Sequence, residues 1–527
     1  MMKHASLIVL FGLILFPVLC AQSASEAEFQ IAWNFDNGSL GGWTQNAAGE
    51  IVLQHAPSSG GIWYFFRVDG LGGKTKTFVF ENARKDYYGG DALPAISYDQ
   101  QNWSFLKTRI MTSYPGEQNT VRYSFTHTFA SNRAWLAFTP PYPNKRLDDL
   151  TKEIDAHPHV SVQSICQTPI KQLSLPLITI TDPEIPDKDK KCIFILSREE
   201  AMESAASWLC EGIIRFLLSD DTIAAAVKRR CRFMFIPVFD RDGVALGSAV
   251  HPISLEGSAK GKNVYWAETW PETSYSFYEQ RQLKYFLQKW KDSGNSIDYA
   301  IRLHSSAWSD DYFSREHCAE ANYAAQDALF SQLLCQKYLP WFRNSERVLQ
   351  DTRFSKFVAD LFPNVLTGLC QCEHRYNMGF GLPYTLYKSQ DDLRTEGELI
   401  VHAFAETLGV PSGDPPPFLH AAELYELVGN ARKKYHVRCV YRDMMNRPPE
   451  YVRIMLGDKT HDLKPVSVGN VEYDYRVGVL YSGYITSTEP VASHSFVTSN
   501  GSRIYSIPHV GHRIGPLLKM SVSGKAQ

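Results

Sequence analysis

Residues 198 to 204 read REEAMES, and two acidic side chains, Glu200 and Glu203, stand three apart between an apolar run, CIFIL (192 to 196), and a helix-like stretch, AASWLCEGIIRFLL (205 to 218). A second apolar run, DYAIRLH (298 to 304), ends on His304. Carboxylates and an imidazole at the ends of buried strands are groups that ligate divalent metals or move protons. The plainer uses of the same residues are a Glu stabilised at a helix start and a structural His after a strand. The C-x-C pair at Cys370 and Cys372 lacks a second pair at zinc-finger spacing, so it does not read as a structural metal site.

The elements that must position these groups change character along the chain. From 29 to 140, short aromatic and β-branched runs such as IWYFFRV (62 to 68) and VRYSFTHTF (121 to 129) are divided by Gly, Asn and Pro, which predicts a β-sandwich. From 141 to 410, apolar strands alternate with amphipathic helices, which predicts an α/β domain with a largely buried sheet and functional groups at its strand ends. The proline-rich PSGDPPP (411 to 417) and a helical reading of LHAAELYELVGNARKK (419 to 434) fill 411 to 434. Strand signals return from 435 to 520, as in YVRIML (451 to 456) and YRVGVLYSGYI (475 to 485), and predict a further small sandwich.

Lys plus Arg (54) nearly balances Asp plus Glu (56), and no long single-sign run attracts nucleic acid or an acidic membrane surface. Residues 1 to 25 have a basic start, an apolar stretch and small residues after it, the pattern of a secretory signal, which predicts a secreted, periplasmic or cell-surface protein with no membrane span after its removal. Without Cys20 the cysteine count is odd, and several cysteines lie inside apolar runs, so they read as small buried hydrophobes rather than a disulfide framework.

IWYFFRV, YYGGDALPAISYD (87 to 99), QNWSF (101 to 105), YSFTHTF (123 to 129) and PPYPNKRLDDL (140 to 150) together resemble the β-sandwich that precedes the catalytic domain in cytosolic-type carboxypeptidases. The chain that follows, to about 410, resembles the zinc carboxypeptidase domain itself, and 435 to 466 is similar to immunoglobulin-like modules on bacterial exported proteins. The resemblance implies an α/β carboxypeptidase-like domain, a mixed sheet with helices on both faces, flanked by N-terminal and C-terminal β-sandwiches. It also implies a His-x-x-Glu pair and a later His on zinc, an Asn-Arg clamp for the substrate carboxylate, and a Glu general base.

Laid on that pattern, Glu200 takes the place of the first His, Glu203 that of the Glu, and His304 that of the distal His, with Arg302 replacing an Asp. GKNVYW (261 to 266) puts Tyr265 and Trp266 on the Asn-Arg clamp, where they would pack as core or stack on a ligand. PYTLYKS (383 to 389) puts Tyr387 on the general base, and a phenol is a poor base at neutral pH. A metal held by Glu200, Glu203 and His304 would be weakly bound zinc or a harder divalent ion. The expected protein is therefore a non-catalytic pseudo-peptidase that binds a peptide or an exported protein in its cleft. An active metallocarboxypeptidase or amidohydrolase with a rearranged site, and a structural cell-envelope module, stand as alternatives.

Overall fold

The structure, a computed structural model, describes residues 29–88, 92–106, 109–113, 119–249, 270, 277–306, 310–317, 328–345, 353–375, 387–412, 414–428, 433–466, 472–487, 491, 493–501, 503–507, 513–514 and 518–521. Tyr265, Trp266 and residues 1 to 25 lie outside the described residues.

Alternating aromatic residues build the first unit as two five-stranded sheets. One runs, in spatial order, Gln30–Ala32, Phe65–Asp69, Arg133–Ala137, Ala95–Ser97, Ser104–Phe105, and the other Gly42–Gln45, Ile51–Gln54, Thr75–Arg84, Thr120–Thr128, Ile110–Ser113. Period-two placement turns Phe78 and Phe80 inward, and Phe78 stacks on its cross-strand partner Phe125 with centroids 5.3 Å apart. A single helical turn, Lys85–Tyr88, interrupts the strands.

The middle unit is one eight-stranded mixed sheet in the order Val160–Gln167, Ser174–Ile180, Cys231–Ile236, Lys191–Ser197, Tyr299–His304, Leu366–Gln371, Tyr312–His317, Arg343–Ser345. Its four central strands, from Cys231–Ile236 to Leu366–Gln371, run parallel and read as continuous apolar runs because both faces are covered. Helices Ser204–Leu217, Thr222–Arg230 and Gln390–Thr407 pack one face, and Tyr278–Asp292 and Phe354–Leu361 pack the other. Parallel strands bring their carboxyl ends to one edge, so the segments after Ser197, His304 and Gln371 meet there.

The helical reading of 419 to 434 is corrected by the structure: Phe418–Val428 is a strand, antiparallel to Lys433–Arg442 and parallel to Leu518–Ser521. Pairing on both sides overrides local helix propensity, and the register shift between His420 and Glu423, with Ala421 at φ 47°, hides the alternation a strand would otherwise show. These three strands belong to one five-stranded sheet, a second is built on Tyr451–Leu456 and Ser493–Ser499, and apolar residues of both are continuous with the core around helix Gln390–Thr407. The proline-rich stretch is tied down: Asp414 pairs with Arg447 at 3.0 Å, and Ser412 Oγ donates to Glu406 Oε1 at 2.7 Å. The eight described cysteines are free thiols, all but Cys166 buried.

Candidate functional site

The turn after strand Lys191–Ser197 is fixed by Arg198, which takes a left-handed φ of 57° and sits fully buried. Its guanidinium donates from Nη2 to Ala201 O at 2.6 Å and also to the carbonyl of Tyr142. These bonds to backbone acceptors hold the loop 199 to 203 in one shape, at the conformational cost a non-glycine left-handed residue carries. Glu203 is the residue before helix Ser204–Leu217, and its side chain makes no capping bond there.

The loop delivers two acids to His304. Glu203 Oε2 lies 3.0 Å from His304 Nδ1, and Glu199 Oε2 lies 2.7 Å from His304 Nε2. Arg302, two residues earlier on the same strand, donates from Nε to Glu199 Oε2 at 2.7 Å and from Nη1 to Glu316 Oε1 at 3.1 Å. Trp270 Nε1 donates to the other Glu199 oxygen at 2.7 Å. Arg302 Nη2 also comes within 2.9 Å of His304 Nε2. Both contacts of that ring nitrogen cannot be hydrogen bonds at once. A protonated Nε2 donates to Glu199, and we assign the Arg302 approach to packing, because the carboxylate is the shorter and charge-complementary partner.

Burial opposes charge on His304, yet the Glu203 carboxylate and the bonds to Glu199 and Glu203 outweigh it and push the imidazole up to about 9, against the neighbouring Arg302. Burial would likewise raise Glu199, but the Arg302 guanidinium, then His304, bring it down to about 2. The result is a buried cluster of alternating charges with few unused donors.

The carboxyl end of the neighbouring strand supplies a group the sequence reading missed. Glu373 lies two residues beyond Leu366–Gln371, the strand paired in parallel with Tyr299–His304, and is fully buried. Its Oε1 accepts from Ser306 N at 2.9 Å, Ser306 Oγ at 3.1 Å and Gln371 Nε2 at 2.8 Å. Tyr387, by contrast, forms an isolated bridge with Arg375 rather than ending a strand of the central sheet, and its ring packs 5.1 Å from Phe105 of the N-terminal sandwich. The available signal was LTGLCQCEH (366 to 374), an apolar run ending in Glu-His, which a Gly and two Cys make weak as a strand motif.

The N-terminal sandwich walls this edge of the sheet. Ala249, which accepts from Met202 N, itself donates from its N to Ser58 O at 3.2 Å, Ser204 Oγ lies 3.1 Å from Thr139 Oγ1, and Gln390 Nε2 donates to Gln101 O at 3.2 Å.

Three donors are needed to hold zinc, and among the described residues no three His, Cys, Asp or Glu side chains converge to hold a metal ion. Glu203 and His304 are brought together as expected, but each ring nitrogen of His304 faces a carboxylate, and Arg302 places a cation at 2.7 Å from Glu199. The first histidine ligand is a glutamate, Glu200. This arrangement does not fit zinc.

Residues 31–138 match the cytosolic carboxypeptidase N-terminal domain family. Cytosolic carboxypeptidase 6 of Mus musculus is 26% identical over 322 residues, covering 57% of this chain and 58% of the relative. The Homo sapiens protein of the same name is 26% identical over 322 residues, with 62% of its length covered. The chain thus spans about three-fifths of the length of these relatives. Among solved structures, a metallo-carboxypeptidase from Burkholderia cenocepacia superposes with a TM-score of 0.59 at 17% identity, over 72% of this chain and 99% of that one. A carboxypeptidase from Shewanella denitrificans gives 0.59 at 21% identity, over 72% of this chain and 98% of that one.

The expectation of a secreted, periplasmic or cell-surface protein is overturned by the same relatives, which are named as cytosolic proteins. Among the described residues no helix is long and apolar enough to cross a membrane. By its N-terminal domain, its relatives and its fold, the chain is similar to metallocarboxypeptidases of the cytosolic-carboxypeptidase-like branch.

Proposed function

We propose that this protein binds a peptide segment in the carboxypeptidase cleft without carrying out metal-assisted hydrolysis. The observation that carries the reading is the closed ion cluster: His304 stands between Glu203 and Glu199, at 3.0 and 2.7 Å, and the Arg302 side chain is buried against Glu199. A metal site uses such a carboxylate to orient a histidine whose other nitrogen faces the ion; here that other nitrogen faces Glu203, one of the expected ligands, but the remaining expected histidine is Glu200 and no third donor converges on the pair among the described residues. Hydrolysis in this superfamily's manner would need a metal-activated water, and Glu373 is left as a carboxylate with no such water to deprotonate. Among the described residues the acidic side chains Glu199, Glu200, Glu203 and Glu316 outnumber the basic Arg198, Arg302 and His304 around this strand end, which favours a ligand presented through N–H groups or a basic side chain over one presented through a free carboxylate.

A rearranged hydrolase is the second reading, and Glu373 is the observation that favours it, because a carboxylate still stands at the end of the strand beside His304. One experiment separates the two: incubate the full chain with a synthetic peptide panel, each peptide as free acid and as C-terminal amide, and follow binding by anisotropy and cleavage by mass spectrometry. Saturable binding of intact peptides, with amides bound at least as well as acids, is expected. Release of C-terminal residues from the free acids would overturn the binding reading.

A further inference from the structure

The buried charges continue from the cleft into the third unit. Lys388 Nζ lies 2.8 Å from Asp311 Oδ2 and 2.7 Å from Glu396 Oε1, with all three side chains fully buried. The other oxygen of Asp311 accepts the backbone N–H of Glu373 at 2.8 Å. On the far side, Glu396 Oε1 also accepts from Trp341 Nε1 at 2.8 Å. The Trp341 ring carries the Arg442 guanidinium at 4.1 Å from its centroid, and Arg442 in turn donates to Val477 O at 2.6 Å. Arg442 ends strand Lys433–Arg442 of the C-terminal sheets, so a chain of buried contacts runs from that sandwich through Trp341, Glu396, Lys388 and Asp311 to the backbone of Glu373.

We propose that Lys388 and Asp311 are positioning residues for Glu373, and that the C-terminal sandwich holds the cleft carboxylate in place through them. Two carboxylates flank one ammonium where water is excluded. Burial pushes Asp311 up to about 6 and Glu396 up to about 8, and in each case the Lys388 cation opposes the rise. Removing one member of such a network leaves the rest uncompensated, and they must move. The atom that moves next is the Asp311 oxygen holding Glu373 N, while Ser306 and Gln371 fix only the Glu373 carboxylate. Without Asp311, Glu373 N loses this bond, and the strand end is left to the flanking bonds from Cys372 N to His304 O and from Lys388 N to His374 O, each 2.9 Å.

The inference rests on Glu373 being a cleft residue, as the reading above takes it, and its test uses no ligand, so its failure is distinct from failure of peptide binding. Hydrogen exchange by mass spectrometry is run on the full chain, wild type against Trp341→Phe, Lys388→Met and Lys388→Arg. Trp341→Phe keeps an aromatic ring beside Arg442 but deletes the N–H to Glu396 together with part of the buried indole. It is expected to speed exchange over 371 to 375 by about fivefold to tenfold, the effect of losing one ordinary hydrogen bond. Exchange over 205 to 217 is expected to stay at the wild-type rate. Lys388→Met is expected to exceed that effect and Lys388→Arg to restore part of it. Unchanged exchange over 371 to 375 in Trp341→Phe overturns the link to the sandwich, and unchanged exchange there in Lys388→Met overturns the positioning role.

Discussion

Arg302 Nε stands 2.7 Å from Glu199 Oε2, and neither side chain reaches solvent. The pair lies behind His304, on the strand whose end faces the cleft, and it sets a cation beside the position where a carboxylate would orient a metal-bound imidazole. A buried pair of this kind is worth little more than a well-packed apolar pair, but half of it alone is costly.

Arg302→Met is therefore expected to destabilise the fold by about 3 to 5 kcal/mol, because Glu199 and Glu316 lose their common partner. Glu199→Gln in the same chain should recover part of the loss. Denaturant unfolding of the two single variants and the double variant checks this through the coupling term. Additive losses would show that the two side chains do not depend on each other.

Helices Ser204–Leu217 and Gln390–Thr407 cross at two glycines. A Cβ on Gly212 would meet Arg394 O at 2.2 Å, and one on Gly397 would meet Leu209 O at 2.3 Å. Both obstacles are backbone, so the helices must separate to admit a methyl group. Gly397→Ala is expected to cost about 1 to 3 kcal/mol despite its better helix propensity, read as a lower thermal midpoint. A rise in the midpoint would mean the helices have room to shift.

His402 is buried between Phe216 and Tyr338, with ring centroids 5.1 and 5.8 Å away, and neither ring nitrogen has a hydrogen-bond partner among the described residues. Burial pulls the imidazole down to about 4 from its ordinary 6.5. Below pH 6.5 the unfolded chain takes up a proton that the folded chain refuses, so stability is full above 6.5 and falls as pH drops toward 4. The slope from this one group is about 1.4 kcal/mol per pH unit. His402→Phe is expected to flatten the wild-type curve by that amount between pH 6.5 and 4, and to leave stability at pH 8 unchanged or higher. Glu398, 4.0 Å from His402, is common to both proteins and largely cancels in the difference. Parallel pH curves would show that His402 protonates within the fold.

The three-part architecture was readable because its signals are dense: CIFIL and DYAIRLH are uninterrupted apolar runs, and both are parallel strands buried on two faces. The pairing of Glu203 with His304 was implied by the resemblance to the carboxypeptidase pattern. What spacing could not supply was direction. The left-handed turn at Arg198 brings Glu199 to His304 Nε2, although a motif alignment selects its neighbour Glu200. Tyr387 was chosen by local likeness to a strand motif, whereas the strand beside His304 is defined by hydrogen bonding to Leu366–Gln371, a long-range choice that a short motif does not carry. AAELYELV was read as helix because the irregular register around His420 breaks the two-residue period.

The central claim is that the ion cluster of Glu199, Glu203, Arg302 and His304 stands where a zinc centre would be. Zinc titration of the full chain by isothermal calorimetry, with metal content measured by mass spectrometry before and after dialysis, tests it most directly. Far less than one equivalent of zinc is expected to be retained, with no loss of stability when a chelator is added. One equivalent of tightly held zinc that Glu203→Gln or His304→Ala releases would contradict it.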